Sequence, residues 1–287
     1  MNEQATPATI ALNRSLSEIR GTIHHGEGGE LWYQIERTDR MAPFLMSLVS
    51  DGDHWLYLLS NGGLTAGRGN PDRALFPYYT QDKLLDMTAR TGGRSYIFLE
   101  EKDGTEVLWE PYRQNLGSEP AIERRIRKNH LGNHIILEEK HEGHGLILQT
   151  GWRPSASFGF IRRQKIRNTG SSAIAIRLLD GFLNIVPHGL EQRFQNEFSI
   201  LGDAYKQSEL EPSARIGIYH LSSVPTDLAS PMESLRATVA WQTGLEGSTC
   251  LLSEAQLGNF CEGLPVFEER ASRGRRGAYL NTTRLVL

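Results

Sequence analysis

Residues 122–168 read IERRIRKNHLGNHIILEEKHEGHGLILQTGWRPSASFGFIRRQKIRN. This stretch decides the fold class. The segments IERRIRKN, NHIILEEKH, GLILQTGW and SFGFIRRQKIRN are each bounded by a turn signal. Leu131-Gly132-Asn133 and Glu142-Gly143 supply residues that tolerate the positive φ of tight hairpins. Consecutive short strands joined this way predict antiparallel pairing and a β-sandwich. Strand alternation in IERRIRKN puts Arg124, Ile126 and Lys128 on one face and Arg125, Arg127 and Asn129 on the other. With polar residues on both faces, this strand is expected at a sheet edge or under a loop.

The same pattern extends outward. Upstream lie LWYQIE, PFLMSLVS, HWLYLLS, RSYIFLEE and TEVLWE, with turns at Ser50-Asp51-Gly52-Asp53 and Asp103-Gly104. Downstream, beyond the Asn168-Thr169-Gly170 turn, strand-like segments resume in ARIGIYHLSSV, SLRATVAWQTG and around Cys250. Three short helices are expected among the strands. Leu12, Leu16 and Ile19 repeat at helical spacing near Ala11 to Ile19, which predicts a helical extension over residues 1–20. Leu190, Phe194, Phe198 and Leu201 predict an amphipathic helix between Pro187 and Lys206, and Val266 to Arg273 a further one. At 287 residues, with nothing resembling a linker, residues 1–287 are expected to form one mainly β domain. The final AYLNTTRLVL reads as a strand with no polar tail, which suggests a fragment of a longer protein.

Composition narrows the function classes. The chain carries 31 basic and 34 acidic residues, a net charge of −3, which gives no electrostatic case for nucleic acid or an anionic membrane. No basic-plus-apolar leader or membrane-length apolar run is present, so a cytoplasmic location is expected. Cys250 and Cys261 are expected as free thiols.

The chemistry-bearing residues concentrate in residues 60–83, SNGGLTAGRGNPDRALFPYYTQDK. Four glycines and two prolines predict a long shaped loop holding Arg68, Asp72, Arg73, Tyr78, Tyr79, Asp82 and Lys83. Aromatic rings take the C–H faces of sugars, while Arg and Asp take their hydroxyls. The loop, with Arg68, Asp72, Tyr78 and Tyr79 foremost, is therefore a candidate carbohydrate surface. A phosphate-binding P-loop is excluded, because Arg68-Gly69 stands where Lys and Ser or Thr are required. His130, His134, His141 and His144 are interleaved with Glu138, Glu139 and Glu142. Strand geometry scatters these side chains between faces, so exposed hairpin histidines are expected rather than a zinc site. Acid–base sugar chemistry needs paired carboxyl groups, or a carboxylate with a histidine. Asp180, His188, Glu191 and Glu197 are the candidates, with helix-surface acids and a capping histidine as the alternative account. No Gly-x-Ser-x-Gly elbow occurs, and no motif calls for a cofactor or a metal.

The run GGLTAGR, then Asp72, FPYYTQDK and TGGRSYIFLEEKDGTEVLWEP, resembles the N-terminal region of inverting disaccharide phosphorylases of the cellobiose phosphorylase type. The corresponding residues are Gly62, Gly63, Arg68, Asp72, Tyr96, Ile97, Asp103, Gly104 and Trp109. Asn168-Thr169-Gly170-Ser171 followed by AIAIRLLDGF is similar to a strand–turn–strand step of the galactose-mutarotase-like supersandwich. The resemblance implies a large antiparallel two-sheet supersandwich with a few short helices. It also implies a non-catalytic role, since that family keeps its catalytic acid in a helical barrel outside this sequence. The partners it implies are a mono- or disaccharide, the helical catalytic domain of the parent protein, and a second copy in a homodimer. A free-standing mutarotase-like epimerase and a purely structural oligomerisation domain are the alternatives.

Overall fold

The computed structural model describes residues 19–26, 29–101, 103–113, 122–225, 229 and 232–287. The helix expected near Ala11 to Ile19 falls outside them except for Ile19. The chain is mainly β, with antiparallel sheets and a few short helices, as the hairpin spacing predicts.

A six-stranded sheet runs β1 (Arg20–His25), β2 (Leu31–Glu36), β9 (Ile122–Asn129), β10 (Ile135–His141), β11 (Leu146–Ser155) and β12 (Gly159–Asn168) in that spatial order. A five-stranded sheet has the order β17 (Thr249–Ser253), β19 (Gly277–Val286), β13 (Ala175–Ile185), β7 (Gly92–Glu100) and β8 (Glu106–Trp109). One four-stranded sheet consists of β3 (Leu45–Leu48), β4 (His54–Leu59), β5 (Leu64–Arg68) and β6 (Ala74–Phe76). The other has the order β16 (Thr238–Ala240), β15 (Ile216–Leu221), β14 (Lys206–Glu211) and β18 (Ala271–Arg273). Helices α1 (Gln81–Met87), α2 (Gln192–Asn196), α3 (Ser199–Tyr205) and α4 (Leu257–Cys261) sit in the connections.

One continuous hydrophobic cluster draws on all four sheets. Ile135, Leu137, Leu148 and Trp152 of the six-stranded sheet join Ile97, Leu99, Ile176 and Tyr279 of the five-stranded one. Leu56, Leu58 and Leu64 enter from the third sheet, and Leu210 and Tyr219 from the fourth. The opposite face of the five-stranded sheet is buried too. There Tyr96, Phe98, Leu179 and Leu280, alternating with the first set, pack on Phe260 of α4. That double burial explains why β7 and β13 are rich in consecutive apolar residues.

Several expectations are corrected. β9 is not an edge strand: it lies between β2 and β10. Its charges are tolerated because the register sets Arg124 opposite Glu139 and Arg125 opposite Glu138. Ion pairs of 2.6 Å and 3.1 Å form across the two strands. The amphipathic helix of residues 187–206 is two short helices instead. The chain breaks at Phe198 (φ −127°, ψ 42°), so Leu190, which precedes α2, shares no helical face with Leu201 in α3. Leu190 is buried, whereas Phe198 and Leu201 face solvent. Val266–Arg273 forms no helix, and its last residues, Ala271–Arg273, are the strand β18. The Gln256 side chain bonds both the Phe267 N–H and its carbonyl, the Glu269 N–H donates to the Cys250 carbonyl, and β18 pairs with β14.

The 60–83 stretch is not a structureless loop either. It contains β5, a 3-10 turn at Pro71–Arg73, β6 and the start of α1. Gly67 matters here: a Cβ at this position would overlap the Trp55 ring and come within 2.9 Å of the Ala74 Cα. Without it, β5 lies close enough to pair with both β4 and β6. The four hairpin histidines are not uniformly exposed. His130 is exposed, but His141 is 2% exposed, with ring contacts to Trp109 and His144.

Candidate functional site

A cleft of about 570 Å³ opens between the β4–β5 hairpin and β16. That volume falls in the usual range for a small-molecule site. Five stretches of chain build it. The β4–β5 register sets His54 opposite Arg68, with Asp53 just ahead. The 3-10 turn that Pro71 initiates delivers Arg73, and β6 adds Ala74 and Leu75. The β11–β12 turn contributes Ser157, Phe158 and Gly159, the turn after β13 gives His188, and the approach to β16 supplies Arg236. Trp241, following β16, closes the lip by stacking edge-on against Phe158 at 5.5 Å between ring centroids.

Three arginines therefore face one carboxylate. Arg68 Nε lies 3.5 Å from Asp53 Oδ1, and both side chains are about half exposed, so this pair holds the hairpin end only weakly. Arg73 and Arg236 are exposed, and their side chains have no hydrogen bond or ion pair among the described residues. Burial, and then the Arg68 charge, push the His54 imidazole below its ordinary pKa, while Asp53 opposes them. His188 is lowered by burial and by the charges of Arg236, Arg73 and Arg68. The cleft thus presents two largely neutral imidazoles beside three guanidinium groups.

Of the residues expected to form a sugar surface, the fold brings Arg68 and Arg73 together here, joined by His188 from the catalytic candidates. The others go elsewhere. The Asp72 carboxylate accepts the Gln192 N–H at 3.0 Å and caps α2 from a distant part of the chain. Tyr78 stacks edge-on against Trp55 at 5.4 Å. Tyr79 is buried with Leu59 and Leu84, and burial raises its hydroxyl pKa. Asp82 is exposed on α1, and Lys83 Nζ donates to Asn196 Oδ1 at 3.2 Å.

The catalytic candidates also part company. Asp180 is fully engaged between the two larger sheets. Its carboxylate takes both Arg162 terminal nitrogens at 2.9 Å, the Ser95 hydroxyl at 2.6 Å and the Gln164 amide at 3.1 Å. Three of these bonds converge on Oδ1 and one on Oδ2, so the carboxylate is committed to tying the two sheets together and is no free base. Glu191 is exposed just before α2, and Glu197 pairs with Arg193 one turn back. Asp53, His54, Phe158, Arg236 and Trp241 were not among the sequence candidates. The exposed aromatic in the Ser157-Phe158-Gly159 turn was the one local signal for them.

Elsewhere, His144 Nε2 lies 3.0 Å from Glu101 and its ring contacts His141. Among the described residues no group of three or more His, Cys, Asp or Glu is placed to hold a metal ion, and no helix is long and apolar enough to cross a membrane. Both cysteines are free. Neither a protein-family model nor a curated protein sequence matches the chain.

These histidines give a pH prediction. Burial shifts His54, His134, His141 and His188 all below the ordinary value of 6.5. Between the folded values and 6.5 the unfolded chain binds more protons than the native one, so stability rises with pH through that window. Stability is expected to be fully present above about pH 6.5 and to decline as pH falls through the folded values. Urea unfolding at pH 7.5 and 5.5 checks this, and His141→Gln should flatten part of the slope. A midpoint that does not move would show these rings to be solvated.

Proposed function

We propose that this chain is a carbohydrate-associated, non-catalytic β-supersandwich module of the kind found at the N-terminus of cellobiose-phosphorylase-like proteins. On this reading the six- and five-stranded sheets are the two layers, and the cleft is the ligand surface. The observation that carries it is the composition of the cleft. The Phe158–Trp241 pair offers ring faces at the lip, and guanidinium and imidazole groups offer donors below it. Sugars present apolar C–H faces and hydroxyl acceptors to such a site. The module would act beside a helical catalytic domain of a parent protein, in a homodimer, in the cytoplasm.

NMR titration with glucose, galactose, cellobiose and N-acetylglucosamine tests the reading. Binding shifts centred on Trp241 and Phe158 are expected, with affinity falling about tenfold in Trp241→Ala, as for loss of one aromatic contact. Shifts confined to the Tyr78–Asp82 segment would move the ligand surface elsewhere. No shift with any sugar would remove the carbohydrate reading.

A second reading, a mutarotase-like epimerase, is favoured by one observation. His54 Nδ1 lies 3.7 Å from Asp53 Oδ1 in a cleft that also holds His188. A neutral imidazole near a carboxylate suits proton transfer in ring opening. Accelerated anomer exchange in the same titration, lost in His54→Ala, would replace the binding reading with this one.

A further inference from the structure

We propose that the cleft contains an anion subsite, so that the sugar it takes carries a phosphate, sulfate or carboxylate group held by Arg73, Arg236 and Arg68 beside His188. This inference rests on the carbohydrate reading and narrows its ligand class.

Three features lead to it. Charge comes first. The whole chain is net negative, yet this cleft sets three arginines against Asp53 alone. The excess is therefore a property of the site and not of the composition. Second, the arginines have hydrogen-bonding capacity to spare. The Arg124 and Arg162 side chains, which lie at the sheet interface, are held by carboxylates at 2.6 Å and 2.9 Å. Arg73 and Arg236 have no such partner among the described residues. At 3.5 Å the Arg68–Asp53 contact is too long for a charge-assisted hydrogen bond. Planar guanidinium forks match the oxygens of phosphate and carboxylate.

Third, the cations converge from separate parts of the fold. Arg68 ends β5, Arg73 ends a 3-10 turn and Arg236 precedes β16, yet all three charges act on His188. A neutral ligand does not need three like charges brought together against their mutual repulsion. An anion offsets that repulsion and gains one hydrogen bond or more from each. The sugar ring then lies toward Phe158 and Trp241, within a volume ample for a monosaccharide and its charged substituent.

Calorimetric titration of the full chain, with glucose and galactose set against their 6-phosphates and with inorganic phosphate alone, tests the proposal. Each sugar phosphate is expected to bind at least about tenfold more tightly than its parent sugar, and to lose that advantage as salt is raised. The double variant Arg73→Ala/Arg236→Ala should weaken sugar phosphate binding by about 10- to 100-fold, toward the affinity of the neutral sugar. Both side chains are exposed, and circular dichroism verifies that the variant is folded. Equal affinity for charged and neutral sugars, indifferent to salt, would overturn the anion subsite and leave the carbohydrate reading standing. Inorganic phosphate binding as tightly as the sugar phosphates would keep the subsite and overturn the carbohydrate reading. Silence with every probe would overturn both.

Discussion

Gly181→Ala is expected to destabilise the fold by about 4 kcal/mol or more, at the extreme of what single substitutions do. Gly181 lies in β13, the central strand of the five-stranded sheet, opposite Leu280 of β19 and Arg94 of β7. A Cβ there would overlap the Tyr279 carbonyl oxygen and come within 2.9 Å of the Tyr279 carbonyl carbon and 3.0 Å of the Leu280 Cα. All three are backbone atoms of a paired strand. No rotamer change relieves the clash, so β13 and β19 must separate. Separation would break ladder hydrogen bonds buried on both faces and displace the neighbouring Asp180, which anchors Arg162. Against a typical domain stability of about 5–15 kcal/mol, such a loss is close to unfolding. Urea denaturation with Gly258→Ala as control gives the measurement. Gly258 lies in α4 with open space at its Cβ position, so that change should be neutral or mildly stabilising. Matching midpoints for the two variants would refute the steric account.

How much of this was legible in the sequence depends on the range of the interaction. The β9–β10 and β11–β12 hairpins are local. Their turn residues and apolar runs sit within a few residues of one another, so an antiparallel, mainly β chain could be read directly. The arginine and glutamate pairs flanking the Leu131-Gly132-Asn133 turn already carried the register that pairs them, Arg124 with Glu139 and Arg125 with Glu138. Read as one strand without its partner, IERRIRKN looked like an edge. The cleft was less legible. Arg68 and His54 are joined by a hairpin, but Phe158, His188, Arg236 and Trp241 arrive from parts of the chain that only tertiary structure joins. Asp72 and Tyr79 misled for the converse reason. Residue type suggested a sugar contact, while long-range contacts commit Asp72 to a helix cap and Tyr79 to a small core.

Glu139→Ala is expected to cost about 3–5 kcal/mol, the range for breaking a buried ion pair by removing one partner. Glu139 points into the core from β10, its side chain 1% exposed. Its carboxylate accepts three hydrogen bonds: from Trp109 Nε1 at 2.7 Å, the Tyr112 backbone N–H at 2.7 Å and Arg124 Nε at 2.6 Å. It thus joins β9 and β10 to β8 and the turn after it, across the two larger sheets. Alanine leaves a cation, an indole N–H and a backbone N–H in the core without their acceptor, and the desolvation of each goes uncompensated. At about 2–4 °C per kcal/mol for a chain near this size, thermal unfolding should move down by roughly 6–20 °C. A second variant separates the charge from the polar groups. Arg124→Met/Glu139→Leu removes the ion pair as a unit, and well-packed apolar replacements of such pairs are often neutral. Here recovery should be partial, because Trp109 and Tyr112 still lose their acceptor. If the double variant proves no more stable than Glu139→Ala, the stranded Arg124 charge is not the main cost, and the two N–H groups carry the effect instead.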